Sequence, residues 1–389
     1  MSCISSNNNR FYVAPESTYG AVSAVTAAAR IPAVSLSIRH RVEQPKRRDK
    51  TGSRTFVGSP AGFRTRTQFD LETYMTAWSA QDQLPAQHPL FTAALGGEGV
   101  KVAPGAVASA PTNKQLAFSA SHNLTVGKAI SFGSEIRFVE AIVNTTTVLL
   151  NAPFSIAPTA GSALSPTASF SLGESVGSVS LFDYWSPATA LQRILRGASI
   201  NKLKIKVNSD YHSFVFSGEA RDVVDSATFT AGLGSLTSFP AEPDLAAFDY
   251  SAIPGNLGQA WLGTSATQFL TLTDAEIVVD NNLDLRKKEF GSNAPSCIAA
   301  GERNVSLKFN LFQQDDEATA TLYQAAKQRS PISVFFQLGQ QSGQLFGLYM
   351  KSVVLEVPEY NDRETRVQWQ FSASRAQGTT GDELFMAFA

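Results

Sequence analysis

The sequence is poor in cysteine and histidine, and it has no long apolar run. Cys3 and Cys297 are the two cysteines among 389 residues, so a thiolate metal cluster is excluded and a stabilising disulfide is not expected. No apolar stretch approaches the length that crosses a membrane, and the first residues are polar and asparagine-rich rather than a signal peptide. These absences predict assembly inside the cell, with no metal, no cofactor and no membrane partner.

Sequence motifs of catalysis are missing as well. The chain contains no P-loop, no HExxH, no GxSxG and no paired-cysteine zinc spacing. The acidic run Asp315–Glu317 suits the positive end of a helix better than acid–base catalysis. His212 falls on the apolar side of a predicted strand, where we expect a core histidine rather than a ligand. The sequence therefore predicts no catalytic residue and no enzymatic activity.

Charge is balanced over the whole chain but not locally. A formal net charge of −1 gives no field that would wrap nucleic acid. From residue 39 to residue 54, however, seven basic residues stand against Glu43 and Asp49: Arg39, Arg41, Lys46, Arg47, Arg48, Lys50 and Arg54. The corresponding stretch of the second half, Asp280 to Asn293, has no net charge. DNA contact would require both stretches to be basic, so we favour protein docking, with a solvated loop or nucleic-acid binding as alternatives.

The order of predicted elements in the first half recurs in the second half. Residues 63–71 alternate between an apolar and a polar face, and residues 303–311 do the same 240 positions later. A period of two predicts a strand in each case. A helical stripe then follows in both halves, with Asp315 as the expected N-cap of the second helix. The stripes are Leu71, Tyr74, Met75 and Trp78, and Ala318, Leu322, Ala325 and Ala326.

Later strands correspond at a smaller spacing. Residues 179–185 match 332–338 at an offset of 153, residues 203–207 match 353–357, and residues 212–216 match 367–371. Since 240 minus 153 leaves 87, the first half carries 87 additional residues after its helix. They include a predicted short helix at 89–95, closed by Gly96 and Gly97, and predicted strands near 129–132, 136–142 and 147–150. An insertion of this size is tolerated at an exposed loop, so we expect it on the outside.

These patterns predict a mainly β chain with two tandem β-sandwich or barrel repeats, each with one flanking α-helix, plus a small inserted β domain. The predicted boundaries are an N-terminal arm at 1–30, a first repeat at 31–95 and 171–225, an insert at 96–170, a connector at 226–270, and a second repeat at 271–389. The arm has few apolar residues before Phe11, so we expect it to be disordered in the free subunit and to order on stacking.

The opening segment Asn9–Gly20 resembles the N-terminal arm of major tail tube proteins of long-tailed bacteriophages. Members of that family often carry a Glu-x-Thr-x-Gly-like stretch, and Glu16, Thr18 and Gly20 stand at those places, with Tyr19 between them. The succession of strand, long loop, strand, helix and paired strands is also similar to the tube fold shared with the type VI secretion tube. Some members carry two tube domains per chain, so the resemblance implies tail-tube-like repeats here.

The resemblance implies a structural virion protein whose stacked rings form a conduit for DNA delivery, assembled in the host cytoplasm and located in the phage tail. Implied partners are further copies of the chain, the tape measure, tail terminator and baseplate or distal tail proteins, and double-stranded DNA that passes through without specific binding. Inter-ring contacts are expected from the arm and the long loops. The residues are Phe11, Tyr12, Glu16, Tyr19, Lys46, Arg47, Arg48, Arg286, Lys287 and Lys288.

A size estimate predicts the number of chains in a ring. If each repeat supplied four strands, six repeats would supply about 24, and at about 4.8 Å spacing and about 40° tilt their backbone diameter would be about 48 Å. Such a barrel has room for duplex DNA, so we predict a homotrimeric, pseudo-hexameric ring. The alternatives are a β-rich carbohydrate-binding protein or adhesin, and a tail-terminator or capsid decoration protein.

A row of lysines bears on the lining of such a ring. Lys202, Lys204 and Lys206 alternate with apolar residues along one predicted strand. Uncompensated lysines in a lumen would hold DNA. We therefore expect this row to face the insert, an adjoining subunit or solvent, unless acidic neighbours offset it.

Overall fold

The computed structural model describes residues 3–43, 50–55, 58, 64–245, 251–264, 266–286, 289–363 and 365–389. These residues form 26 β-strands and two α-helices, which confirms the mainly β class. The elements before residue 230 are β1 (Asn9–Pro15), β2 (Arg30–Ile31), β3 (Ala33–Glu43), β4 (Arg64–Tyr74), α1 (His88–Leu95), β5 (Val100–Val102), β6 (Val107–Thr112), β7 (Gln115–Phe118), β8 (Ala129–Phe132), β9 (Glu135–Asn144), β10 (Thr147–Leu150), β11 (Thr167–Ser171), β12 (Val179–Trp185), β13 (Arg193–Val207), β14 (Ser213–Ala220) and β15 (Asp222–Asp225).

The elements of the second half continue this series. They are β16 (Gly258–Gly263), β17 (Thr267–Gln268), β18 (Leu272–Asp280), β19 (Asp284–Leu285), β20 (Ile298–Ala299), β21 (Asn304–Phe312), α2 (Glu317–Gln328), β22 (Ile332–Leu338), β23 (Phe346–Val354), β24 (Glu359–Asn361), β25 (Gln368–Ala376) and β26 (Phe385–Phe388). The strands β12 and β22 have the bounds that the sequence predicts.

One continuous antiparallel sheet runs through both halves of the chain, and we call it the eight-stranded sheet. Its order is β3, β4, β14, β13, β18, β21 and β25, and the eighth position is shared by the end of β23 and by β24. Phe69 and Leu71 of β4 and Phe309 and Leu311 of β21 lie on its buried face. The predicted alternation is therefore confirmed in both strands, while Phe63 lies outside the described residues.

Each half also has a second sheet, which is joined to the eight-stranded sheet by one strand that belongs to both. Its order is β2, β1, β12, β13 and β15 in the first half, and β17, β16, β22, β23 and β26 in the second. The strand β13 is long enough, at 15 residues, to belong to both layers. Seven strand pairings of the first half thus have a counterpart in the second half, in the same order.

The helix α1 fills the core where the two halves meet. Its Phe91 is fully buried, and the centroid of its ring lies 5.1 Å from that of Phe214 in the first half. The same ring lies 5.7 Å from Phe346 and 5.5 Å from Phe388 in the second half. The helix ends at Gly96, whose φ of 80° is left-handed, as the predicted glycine closure requires.

The helix predicted over Leu71–Trp78 is wrong. β4 continues to Tyr74 because its residues from Thr67 onward pair with β14. A stripe of two helical turns has little stability of its own, so the pairing decides the structure. The helix predicted around Leu322 is confirmed as α2, but its N-cap is Asp316 rather than Asp315, since the Asp316 carboxylate accepts a hydrogen bond from the backbone N–H of Thr319 at 2.6 Å.

Part of the inserted segment forms a separate five-stranded sheet in the order β6, β7, β10, β9 and β8. Its own apolar core contains Ile130, Val139 and Val148. The flanking strands β5 and β11, which lie within residues 96–170 except for Ser171, pair with each other, and β11 pairs with β26. The insert interrupts the first half but packs on the second, where the ring of Phe138 stacks on Tyr349 with centroids 5.8 Å apart.

Candidate assembly interface

The polar face of the eight-stranded sheet carries paired charges. In its middle, the Nζ atom of Lys202 lies 2.8 Å from a carboxylate oxygen of Asp280, and that of Lys204 lies 3.1 Å from Glu276. The two lysines belong to β13 in the first half, and the two acidic residues belong to β18 in the second. The sequence predicts that the lysine row lies outside a lumen unless acidic neighbours offset its charge, and Asp280 and Glu276 are such neighbours.

Further ion pairs cross the same face in the first half. Arg66 of β4 pairs with Glu219 of β14. The guanidinium of Arg39 on β3 lies 3.6 Å from the carboxylate of Asp70 on β4. Both arginines thus have an acidic partner on the neighbouring strand, which lowers the net potential of this part of the face, although Arg41 of β3 lies opposite Arg66 of β4.

The eight-stranded sheet ends in two open edges among the described residues. β3 pairs with β4 alone, and β24 pairs with β25 alone. Each edge exposes an apolar side chain, Val42 at 46% and Tyr360 at 59%. An open edge presents unpaired N–H and C=O groups, so it can add a strand from another chain.

The N-terminal segment is part of the fold. β1 pairs with β12 over residues 9–15 and with β2 at Phe11 and Tyr12, and both side chains are buried. The expectation that this segment is disordered before stacking is thus wrong for residues 9–15, because strand pairing and burial order them. The inter-ring role of Phe11 and Tyr12 stays a prediction, and within one chain their side chains have internal contacts.

A carboxylate that the sequence did not single out fixes the outer side of β1. The hydroxyl of Tyr12 donates to Glu242 at 2.9 Å, and the guanidinium of Arg10 donates to the same carboxylate at 2.5 Å. Burial, and then the adjacent Glu242, raise the pKa of Tyr12 to about 12. Tyr12 is therefore a neutral hydrogen-bond donor at physiological pH.

The Glu-x-Thr-x-Gly stretch has a structural role. The carboxylate of Glu16 accepts four hydrogen bonds, from the backbone N–H of Gly20 at 2.7 Å and of Gly197 at 2.8 Å, and from the hydroxyls of Ser178 at 2.6 Å and Ser180 at 2.7 Å. Gly20 has a left-handed φ of 74°, and a Cβ there would lie 2.5 Å from the side chain of Arg221. Both conditions require glycine. Glu16 and Gly20, the two ends of the stretch, thus close one loop.

The remaining predicted contact residues are only partly described. The ring of Tyr19 lies beside Arg221, whose guanidinium carbon is 6.0 Å from the ring centroid. Arg286 is exposed and forms an ion pair with Glu289. The other basic residues of the predicted set lie outside the described residues: Lys46, Arg47, Arg48, Lys287 and Lys288.

A buried arginine anchors the insert to the second half. The side chain of Arg137 on β9 has no exposed surface, and its guanidinium lies 3.0 Å from the carboxylate of Glu135. It also donates to Gln337 of β22 at 3.2 Å and to Gln259 of β16 at 3.3 Å. Burial lowers the pKa of Arg137, and Glu135 opposes that shift. Nothing in the local sequence distinguishes this arginine from a surface one, because its partners in the second half, Gln259 and Gln337, lie more than a hundred residues away.

The predicted core histidine is confirmed. His212 is 1% exposed, and its ring Nε2 lies 2.9 Å from the carbonyl oxygen of Leu257. Burial lowers its pKa. Over the described part of the chain, no three His, Cys, Asp or Glu side chains are grouped as metal ligands would be. Nor does any helix found there combine the length and the apolar character needed to span a membrane.

Among the described residues the eight-stranded sheet thus combines two open edges with ion pairs across its polar face, and the two halves share an aromatic core. A family model described as phage tail tube protein matches residues 6–382. The chain belongs to the phage tail tube protein family, and its role is that of a structural protein of the virion tail.

No curated protein matches the chain. Among solved structures, the chain is similar to the SPP1 tail tube, determined as a hybrid of solid-state NMR and cryo-electron microscopy, at 15% identity over 32% of this chain and 75% of that one, with a TM-score of 0.27. A score this low carries no argument about architecture.

Proposed function

We propose that three copies of this chain form one ring of the tail tube and that each copy contributes two tube repeats. The observation that carries this proposal is the set of seven strand pairings that occur in the same order in both halves. The pairing of β13 with β18 supports it, because it joins the two halves edge to edge in one sheet. Three such sheets supply about 24 strands and a backbone diameter of about 48 Å.

The proposed repeats follow the predicted boundaries, with one strand added to each. The first repeat comprises residues 31–95 and 171–225, and the second comprises 271–389, joined by the connector 226–270 and interrupted by the insert at 96–170. β1 holds the same place on β12 that β16 holds on β22. We therefore assign β1, within the predicted arm, and β16, within the predicted connector, to the first and second repeats.

In this proposal the polar face of the eight-stranded sheet lines the passage for DNA. Proteins bind DNA through lysine and arginine side chains, which displace the counterions of the phosphates. Here Lys202 and Lys204 are already paired with acids of β18, so the lining offers little net attraction. Double-stranded DNA would pass without specific binding.

Assembly of the rings follows from the same geometry. The tube would grow by stacking in the host cytoplasm and would meet the tape measure, tail terminator and baseplate or distal tail proteins. We assign the inter-ring contacts to the region around Glu16 and Tyr19 and to the two basic stretches that include Lys46–Arg48 and Arg286–Lys288.

Electron microscopy of the purified protein tests this function. Tubes, or free rings with six lobes and a lumen on the order of 30 Å, are the expected result. A protein that stays monomeric at all concentrations and salt conditions would contradict it.

A further inference from the structure

The contact between β13 and β18 is a template for a contact between two chains. In this pair Ile205 lies opposite Ile277, and Lys204 lies opposite Val278. β13 ends the sheet contribution of the first half, and β18 begins that of the second. In the joined eight-stranded sheet, β3 is the open edge on the side of the first half, and β24 is the open edge on the side of the second half.

The strand β3 occupies in the first half the place that β18 occupies in the second. Ile38 of β3 lies opposite Phe69, and Ala275 of β18 lies opposite Phe309. The two phenylalanines are 240 positions apart, as the sequence repeat requires. Position 38 therefore corresponds to position 275, and position 40 to position 277.

The segment from β23 to β24 occupies the place of β13. Val353 of β23 lies opposite Ile332, and Ala198 of β13 lies opposite Val179. Both β23 and β24 pair with β25 in one register, so together they form one interrupted edge strand. Position 353 corresponds to position 198, and position 360 to position 205.

We propose that β3 of one chain pairs antiparallel with β24 of the next, with Tyr360 opposite His40 and Glu359 opposite Arg41. The occupant of each open edge is thus a second copy of this chain. The inference rests on the proposed ring and specifies which strands close it and in which register.

Charge disfavours one of the two neighbouring registers, and the correspondence with β13 and β18 distinguishes the proposed register from the other. Arg39 and Arg41 lie on the polar face of β3, and Glu359 lies on the same face of β24. A shift by two residues in one direction would place Glu359 opposite Glu43 and Arg363 opposite Arg39. Like charges directly opposite one another destabilise a strand pair, whereas opposite charges stabilise it.

The apolar side chains at the two edges fit the same pairing. Tyr360 lies opposite Trp369 on the core-facing side of β25, and their ring centroids are 5.8 Å apart. His40 and Val42 lie on the core-facing side of β3. In the proposed register Tyr360 lies directly opposite His40 and diagonally opposite Val42. The exposed surface of Tyr360 and Val42 therefore becomes buried when the edges join.

The charges are reversed between the pair β13–β18 within one chain, here called the inner junction, and the proposed pair of β24 with β3 of the next chain, here called the outer junction. At the inner junction β13 is basic and β18 is acidic, with Lys202 and Lys206 opposite Asp280 and Glu276. At the outer junction β24 supplies the acid and β3 the bases. A β3 strand that tried to replace β18 on β13 would set arginine against lysine. This reversal discriminates against exchange of the two junctions, because like charges at a contact are costly.

Cysteine cross-linking of assembled rings tests the register. In a Cys3→Ser, Cys297→Ser background, the pair His40→Cys and Tyr360→Cys is expected to oxidise to covalent dimers and trimers, since opposite residues of a strand pair have Cβ atoms about 5 Å apart. The matched control is Val42→Cys with Tyr360→Cys, which should cross-link at least about fivefold less. Rings that form without the first cross-link, or with equal yields for both pairs, would overturn the pairing while leaving the ring itself in place.

Charge exchange is the second test and needs no new disulfide. Arg41→Glu and Glu359→Arg should each lower the assembled fraction about tenfold, and the double variant should recover it. Lys114→Glu, a reversal at a half-buried position of the insert, is the control and should assemble as the parent does. Circular dichroism of the free subunits shows that each variant folds. Full assembly of the single variants, or no recovery in the double variant, would refute the contact, whereas a parent chain that never forms rings would instead refute the proposed function.

Discussion

The ammonium group of Lys202 lies 2.8 Å from the carboxylate of Asp280, across the line where the two halves of the chain pair. The lysine side chain is 52% exposed, so we expect the pair to contribute less than about 1 kcal/mol to the free energy of unfolding. Its consequence is electrostatic, because the acids of β18 cancel the lysines of β13 on the face that we assign to the lumen.

Removing those acids should make the tube retain DNA. In the double variant Asp280→Asn, Glu276→Gln, the lysines of β13 lose their carboxylate partners, and three chains multiply the effect around the ring. We expect short duplex DNA to comigrate with the tubes at low salt and to dissociate as salt rises. Sedimentation of tubes with labelled duplex at about 50 and 200 mM salt measures this.

The control neutralises two exposed acids elsewhere, Asp82→Asn with Glu98→Gln. It removes the same charge but leaves the polar face of the eight-stranded sheet unchanged. Equal DNA retention by both double variants would show that this face does not line the passage.

Glu16 should be essential for the stability of the first half. Glu16→Ala leaves the N–H groups of Gly20 and Gly197 without their acceptor, which should cost about 2 kcal/mol or more. Glu16→Gln retains one acceptor oxygen and should cost less. Chemical denaturation of the free subunit measures both. The exposed neighbour Ser17→Ala should have almost no effect, and an equally stable Glu16→Ala variant would contradict the assigned role.

Arg137 should hold the insert on the second half. Arg137→Ala leaves Glu135 buried beside Gln259 without its cation, and breaking such a buried pair costs about 3–5 kcal/mol. We expect protease cleavage of the segments around the insert to become faster while the ring still forms. Limited proteolysis followed by mass spectrometry detects this, and an unchanged cleavage pattern would argue against the anchor.

The same site should weaken in acid. Burial alone would raise the pKa of Glu135, but Arg137 and the hydrogen bonds from Ser155 and Gln259 outweigh it and hold the pKa below its ordinary value of 4.5. A lowered folded pKa gives stability that is complete above the unfolded pKa and is lost as pH falls through the folded value. The difference in unfolding free energy between the parent and Glu135→Gln should therefore shrink below about pH 4.5. A difference that stays constant down to pH 3 would contradict this.

The ring of Phe91 should couple the two halves. Phe91→Ala removes contacts to Phe214 in the first half and to Phe346 in the second, and large-to-small changes of this kind cost about 3–5 kcal/mol. The fully exposed Phe290 provides a matched control, since Phe290→Ala should leave the free subunit equally stable. Thermal denaturation that separates into two transitions for Phe91→Ala would further indicate that the halves have lost their common core.

Much of the fold could be predicted from the sequence where one face of a strand is buried. In β4 and β21 a period of two is visible because polar residues separate Phe69 from Leu71 and Phe309 from Leu311. The short helix α1 could be predicted because Gly96 marks its end. β1 could not be recognised, since Phe11 to Ala14 are buried on both faces and show no alternation.

Failures of prediction arise where distant partners decide the structure. Leu71 fits a helical stripe and a strand equally well, and only the pairing with β14 selects the strand. Arg137 and Glu242 have no local signal, because the hydrogen bonds that join them to Gln337 and Tyr12 span more than a hundred positions of sequence. Of the predicted contact residues, Glu16 belongs to a family-like stretch of the sequence, but its four donors become apparent only in three dimensions.

The symmetry of an assembled ring tests the central claim most directly. Cryo-electron microscopy of tubes in cross-section measures it, and the separate sheet of the insert provides one marker per chain. Our account predicts three markers per ring around a continuous barrel of about 24 strands, with six similar lobes. Six markers per ring, or a wall in which neighbouring sheets do not join, would contradict it.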